Sequence, residues 1–257
     1  MVRPKKQLGQ HFLKDKNIAR KIVACMGEEY SQVCEVGPGT GILTELLLAK
    51  SCISTLTLIE IDSESVEYLN THFHDPRMKI LEADFLKSNL MEIMETPFAL
   101  IGNFPYNISS QIFFKVLEYR NQIPEVVGMI QKEVAERIVA NAGNKTYGIL
   151  SILLQAWYDI EYCFTVSENV FFPPPKVKSA VIRLRRNNTQ NLNCDETLFF
   201  KVVKAGFGQR RKTLRNAIKT LIGSLHTDHP LLSKRAEQLS VADFVQLTQF
   251  VESVSPS

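Results

Sequence analysis

Short apolar runs rich in β-formers alternate with helically spaced apolar residues from about residue 32 to residue 186. Residues 33–36 read as a strand entering a glycine turn, and 42–50 as a helix. A second strand over 55–61 leads to a helix over 63–73, with Ser63 as its N-cap. Strands are predicted at 78–81 and 98–101, then a helix over 109–119 and a strand at 126–130. Helices over 132–140 and 147–157 precede two late strands, 160–166 and 177–185, on either side of Pro173-Pro174-Pro175. Such alternation implies an α/β fold, a mostly parallel sheet with helices on both faces. The late strands, joined without a helical pattern, fit an antiparallel pair at one sheet edge.

The pattern breaks at the polar stretch Asn187-Asn-Thr-Gln-Asn-Leu-Asn193, and helical spacing follows it. Residues 1–187 therefore read as one domain and 188–257 as a small helical one. Within 210–225, Leu214, Ile218, Leu221 and Leu225 form one apolar stripe, flanked by Arg211, Arg215 and Lys219 at helical spacing. A last helix over 241–254 is expected to pack on it.

Charge changes this picture more than composition does. The net charge of +3 conceals three basic stretches: 1–21 with seven Lys/Arg against Asp15, 173–194 with five and no acid, and 197–227 with seven and no acid. Acid-free segments of this kind imply a phosphate-backbone footprint, hence a nucleic-acid partner. No apolar run reaches the roughly 18 residues of a membrane span. The N-terminus shows no secretory pattern. Five scattered cysteines without a C-x-x-C pair fit a reducing cytoplasm and disfavour a disulfide or zinc framework. His226-Thr-Asp-His229 has metal-like spacing but reads as a solvated turn, so no metal is expected.

The chemistry concentrates at strand ends. Glu35-Val-Gly-Pro-Gly-Thr-Gly41 has G-x-G-x-G spacing; the dinucleotide fingerprint would need a glycine where Ile42 stands. Glu60, about 20 residues on, is placed to accept ribose hydroxyls. Asp84 closes the next strand, where a carboxylate suits an adenine amine. Together these outline a nucleoside pocket without a pyrophosphate site, and S-adenosylmethionine is such a cofactor. After the fourth strand comes Asn103-Phe-Pro-Tyr106, an amide, a proline-fixed turn and an aromatic face. Acceptors from Asn103 and from a carbonyl near Phe104 or Pro105 would draw an adenine amine's hydrogens out of plane and localise its lone pair. Tyr106 would stack the base, and Phe171 or Phe172 could close its other face. A short-chain dehydrogenase is disfavoured, because none of the seven tyrosines precedes a lysine by four residues.

Gln7-Leu-Gly-Gln-His-Phe-Leu13, the 35–41 loop, Asn103-Phe-Pro-Tyr-Asn-Ile-Ser109, Phe171-Phe-Pro-Pro-Pro-Lys-Val177 and Phe207-Gly-Gln-Arg-Arg-Lys-Thr-Leu-Arg-Asn216 occur in that order. In these the chain resembles the small-subunit rRNA adenine dimethyltransferases. The resemblance implies a Rossmann-like class I methyltransferase with a seven-stranded sheet and a C-terminal helical domain. It implies dimethylation of two adjacent adenines near the 3′ end of 16S rRNA in the assembling small subunit, by a cytoplasmic monomer. It further implies that His11 and Leu13 line the methionine end of the cofactor site, with Gly37 beside the cofactor, Glu60 on its ribose and Asp84 on its adenine. Asn103 would meet both cofactor and target amine, with Pro105 and Tyr106 completing the turn and Phe171 as the stacking aromatic. The 23S rRNA methyltransferases of the erythromycin-resistance type share the Asn-x-Pro-Tyr turn but usually lack the motif at 207–216. A non-catalytic ribosome-assembly factor is the remaining alternative.

Overall fold

In a computed structural model, which describes residues 2–94, 97–223 and 228–254, the strand-end motifs gather at one edge of a single sheet. The strands are β1 (Phe12–Leu13), β2 (Gln32–Val36), β3 (Thr55–Glu60), β4 (Met78–Glu82), β5 (Ala99–Asn103), β6 (Glu125–Gln131), β7 (Tyr158–Val166), β8 (Phe171–Phe172) and β9 (Ser179–Arg186). Seven of them form the order β4-β3-β2-β5-β6-β9-β7. Strands β2 to β6 pair in parallel, and β9 runs antiparallel to β6. The expected late pair is thus adjacent at the sheet edge, with β9 inserted between β6 and β7. The central strands carry near-continuous apolar runs because both faces are covered; Val33, Leu56, Leu58, Leu100, Ile101 and Val127 are fully buried. Strand order reverses between β2 and β5, the place where such sheets open a crevice beyond their carboxyl ends.

A second, two-stranded ribbon escaped the hydrophobic pattern. β1 pairs antiparallel with β8, Phe12 opposite Phe172 and Leu13 opposite Phe171. Two residues are too short for periodicity to register. The helix Lys16–Ala24 was also unforeseen; Asp15 caps it by accepting from the Asn17 and Ile18 amides. The helix Ser63–His72 is capped by Asp62 rather than Ser63. Asp62 holds extended backbone and accepts from the Glu64 amide, which leaves Ser63 as the first helical residue.

The chain divides into two compact units, Met1–Ala135 with Ile160–Arg186, and Glu136–Asp159 with Asn187–Ser257. The second therefore takes in a segment that the 187/188 boundary assigned to the first. Its physical reason is Trp157, fully buried, which stacks on Phe200 and meets Phe199 edge-on, both on the helix Glu196–Gly208. Helix Val241–Val254 packs on the same helix, with Phe244 stacked on Phe207.

The single helix expected over 210–225 is two short ones, Leu214–Ala217 and Lys219–Ile222, broken at Ile218 (φ −104°, ψ 15°). Buried positions there are Leu214, Ala217, Ile218 and Ile222, with Leu221 only part-buried. Leu225 and His226 lie outside the described residues. Arg211, Arg215 and Lys219 are exposed, and Arg215 pairs with Asp228 at 2.7 Å. Arg210, by contrast, is spent on structure, bonding Glu237 at 2.9 Å and the Lys145 carbonyl. Several cations of the other basic stretches are likewise paired internally: Lys5 with Asp62, Lys16 with Glu45 and Arg183 with the buried Glu125.

Candidate active site

A cleft, about 690 Å³ with the open solvent at its mouth included, opens at the carboxyl ends of β2, β3, β4 and β5. It is lined by Gly9–Phe12, Gly37, Gly39, Ile59–Ile61, Ala83–Phe85 and Asn103–Tyr106, so every strand-end motif contributes.

The floor is made by the glycine loop. Gly37 has φ +66°, and a side chain there would have room, since the nearest atom to an added Cβ is 4.0 Å away. Backbone conformation, rather than space, requires glycine at that point. Gly39 donates its amide to Glu60 Oε2 at 3.0 Å. The Ile61 and Asp62 amides both donate to Glu60 Oε1 at 2.9 Å. Three of a carboxylate's roughly four acceptor positions are thereby filled, leaving one on Oε2. Burial raises the Glu60 carboxyl above its ordinary value, and these amide bonds work against that shift. Asp84 Oδ1 accepts from the Leu86 amide at 3.0 Å, and its Oδ2 lies 3.7 Å from Lys87 Nζ.

Across the cleft, the Asn103 amide is oriented by one bond. Its Nδ2 donates to the His11 carbonyl at 2.9 Å. A carbonyl can only accept, so the nitrogen must face His11 and the side-chain oxygen is left as the acceptor. Among the described residues no protein group donates to that oxygen. In the same turn the Pro105 carbonyl accepts from the Ile108 amide at 3.2 Å, while the Phe104 carbonyl takes no bond from the described protein. The sequence left open which of these two carbonyls would serve; Phe104 offers the free one. The Phe104 ring is buried (1% exposed), and its amide donates to Met129 at 3.0 Å. Tyr106 is fixed at both ends, its hydroxyl 2.5 Å from Ser179 Oγ and its ring 5.4 Å from that of His11. Burial raises the Tyr106 phenol, with the Ser179 contact opposing the shift, so it stays protonated near neutrality.

His11 contributes through its backbone. Its imidazole Nδ1 donates to the Pro173 carbonyl at 2.7 Å and is thereby occupied. Leu13 is buried in the core (4% exposed) and lines a smaller recess with Glu35, Pro38, Thr40 and Asn103. Phe171 does not present a face to the cleft. Its side chain is 1% exposed and packs in the same core cluster as Leu13, because β1 and β8 turn that side of the ribbon inward. The outward ring is Phe172, 60% exposed. Alternation along a strand forces one ring in and the next out.

Glu35, buried behind this loop, lies outside the site residues that the sequence predicts. Thr44 Oγ1 donates to its Oε2 at 2.7 Å. Burial pushes its carboxyl from 4.5 up to about 8, with Glu60 adding to the shift and the Thr44 bond opposing it. The folded chain then holds a proton that the unfolded chain has lost, so this group's contribution to stability falls as pH rises from about 4.5 to about 8. Gln at this position keeps the acceptor for Thr44 and removes the titration. Glu35→Gln should therefore gain stability over the parent between pH 5 and 8, by up to about 1.4 kcal/mol per pH unit. Urea unfolding curves that shift in parallel across that range would refute the assignment.

The family described as Ribosomal RNA adenine dimethylase matches residues 1–253. The chain belongs to that family. It is 57% identical to Ribosomal RNA small subunit methyltransferase A of Cytophaga hutchinsonii over 253 residues, covering 97% of this chain and 98% of the relative. It is 57% identical to the protein of that name from Parabacteroides distasonis, covering 96% and 94%. In fold it is similar to the crystal structure of a dimethyladenosine transferase from Plasmodium falciparum, with a TM-score of 0.77, 26% identity and coverage of 95% and 98%. The 23S rRNA methyltransferase ErmE shares the fold at a TM-score of 0.65 and 24% identity.

Family membership makes the protein an S-adenosylmethionine-dependent methyltransferase, and the cleft fits that cofactor. A glycine-lined floor, a spare acceptor on Glu60 and apolar walls from Ile61 and Phe85 suit an adenosine. No helix among the described residues is long and apolar enough to cross a membrane, and they contain no cluster of three or more metal-ligating side chains.

Proposed function

We infer that the protein methylates the exocyclic amines of two adjacent adenines in the 3′-terminal hairpin loop of 16S rRNA, giving N6-dimethyladenosines during small-subunit assembly. The observation that carries the adenine assignment is the Asn103 amide, whose nitrogen is committed to His11 and whose oxygen is free. Beside it, the Phe104 carbonyl is the second free acceptor of the turn.

In this reading Glu60 holds the ribose and Asp84 the adenine of the cofactor, with Gly37 beneath and the His11 and Leu13 segment near the methionine end. S-adenosylmethionine supplies an electrophilic methyl group on a sulfonium. Asn103 Oδ1 and the Phe104 carbonyl accept the two hydrogens of the target amine and turn its lone pair out of conjugation. Tyr106 bears on the base, and Pro105 fixes the turn that presents all three. The amine loses one proton to solvent per transfer. No buried base beside Asn103 is needed, because the proton becomes acidic once the nitrogen is alkylated. Positioning carries the rate.

The small subunit is favoured over the large by the motif at 207–216, whose Arg211 and Arg215 are exposed. The working form is taken as a cytoplasmic monomer. Labelled S-adenosylmethionine offered with unmethylated small subunits, large subunits and naked rRNA tests this reading. Label should enter the small subunit, at two adjacent adenines. Label in the large subunit alone would move the assignment to 23S rRNA, and none in any substrate would favour the non-catalytic assembly role.

A further inference from the structure

The N-terminal segment forms one wall of the cleft, yet its own backbone supports little of it. Leu8, Gly9, Gln10 and His11 line the cleft, and among the described residues the only regular structure before β1 is a single turn at Lys6–Leu8. Besides the His11 ring, which bonds the Pro173 carbonyl, two side-chain anchors hold this wall to the rest of its unit. One is the His11 carbonyl, bonded to Asn103. The other is Asp62, whose side chain is fully buried.

Asp62 collects an unusual set of partners. Its Oδ1 takes the ammonium of Lys5, and its Oδ2 accepts from Gln10 Nε2 at 3.2 Å. Gln10 in turn accepts the Lys5 amide at 2.8 Å, so Lys5, Gln10 and Asp62 close a ring of bonds across 57 residues of chain. The same carboxylate caps the helix Ser63–His72, accepting from the Glu64 amide at 3.3 Å and the Ser65 hydroxyl at 3.1 Å. Its backbone amide meanwhile bonds Glu60. Burial would raise this carboxyl, but bonds from Lys5, Gln10 and Ser65 bring it below its ordinary value.

We propose that Asp62 is a positioning residue whose bonds to Lys5 and Gln10 latch residues 5–11 against the cofactor cleft, and that cofactor leaves by release of this latch. The proposal rests on the reading of the cleft as the S-adenosylmethionine site. One acidic residue thus joins the ribose acceptor Glu60 to the N-terminal wall of the cleft.

Substitutions can separate the latch from its neighbours. Asparagine caps helices as well as aspartate does, so Asp62→Asn keeps the acceptor for the Glu64 amide and the backbone bond to Glu60 while removing the charge opposite Lys5 and the oxygen that accepts from Gln10. Lys5→Met removes the ammonium and keeps the stem; Lys5→Arg restores a cation. Asp62→Asn and Lys5→Met should each raise the KM for S-adenosylmethionine roughly fivefold and speed S-adenosylhomocysteine release to match, with kcat at saturating cofactor within about twofold. Their double variant should be little worse than either alone, because both break the Lys5–Asp62 ion pair, which is much closer than the 3.9 Å contact of Lys5 with Glu64. Lys5→Arg should behave as the parent. Glu60→Gln is measured beside them. If it weakens cofactor binding while the latch variants do not, or if their effects add, the latch is overturned and the site reading stands. If Glu60→Gln leaves cofactor affinity unchanged, both fall.

Discussion

Asn103→Ala is expected to lower methyl transfer by about a thousandfold or more, with RNA affinity changed by less than about twofold. Removal of one preorganised hydrogen-bonding group from a reacting centre costs about a hundred- to a thousandfold in rate. Here the loss is compounded, because the same side chain ties the N-terminal segment to the turn through His11. Two consequences of the substitution must therefore be told apart. The lost tie should appear as a higher KM for the cofactor; the lost acceptor should persist in single-turnover rates at saturating cofactor. Asn103→Asp sharpens the distinction. An aspartate retains an acceptor but cannot donate to the His11 carbonyl, and two oxygens would face each other at about 2.9 Å. It should be nearly as defective as alanine, with a larger share of the damage in KM. Turnover by Asn103→Ala within tenfold of the parent would remove Asn103 from the centre of the mechanism.

Most of the sheet was legible because its signals are local. A buried parallel strand writes its own apolar run, and Gly37, Glu60 and Asn103 stand at the ends of such runs. What was not legible depends on partners distant in sequence. Nothing near residue 171 says which of two adjacent phenylalanines turns inward; that is set by pairing with Phe12 and Leu13. The composition break at 187 marked a real change, but Trp157 belongs with the helix that follows the break, because its ring needs Phe199 and Phe200. The apolar spacing over 210–225 suggested one helix, and the bend at Ile218 buries Ile222 in place of Leu221. The Lys5–Asp62 latch was invisible for the same reason, since ion pairs leave no periodicity.

The basic stretches also need a narrower reading than sequence allowed. Lys5, Lys16, Arg183 and Arg210 are engaged with acids or carbonyls of their own unit, so the charge offered to RNA is smaller than the count of Lys and Arg suggests. Arg211, Lys212 and Lys219 are exposed and have no acid within ion-pair distance among the described residues.

Gly102→Ala is expected to destabilise the protein by about 3 kcal/mol, at the upper end of what overpacking a core costs, and Phe104→Leu should not rescue it. Gly102 and Gly128 are register partners on β5 and β6. Between them sits the Phe104 ring, which meets Phe113 edge-on at 6.0 Å. A Cβ on Gly128 would fall 2.6 Å from Phe104 Cε2, and one on Gly102 would fall 2.9 Å from Cε1, the opposite edge of the same ring. The two glycines are the slot into which this ring fits. Gly102 carries a second constraint, because its Cβ would also lie 2.5 Å from the Val36 carbonyl oxygen. Backbone at the centre of a parallel sheet cannot yield as a side chain can. Gly128→Ala has no such backbone clash. It should cost about 1–3 kcal/mol, and pairing it with Phe104→Leu should recover at least half by shortening the ring that the new methyl strikes. Thermal and urea unfolding of the four variants would read this pattern. Rescue of both glycine variants by Phe104→Leu would mean that Val36 moves freely. Rescue of neither would mean that the ring is not what the glycines accommodate. The methyltransferase assay adds a further check. Phe104 enters the proposed chemistry by its carbonyl, so Phe104→Leu in the parent background should keep most of the activity. The ring's work is to pin the turn from beneath, so that the carbonyl above it and the Asn103 oxygen beside it stay pointed into the cleft.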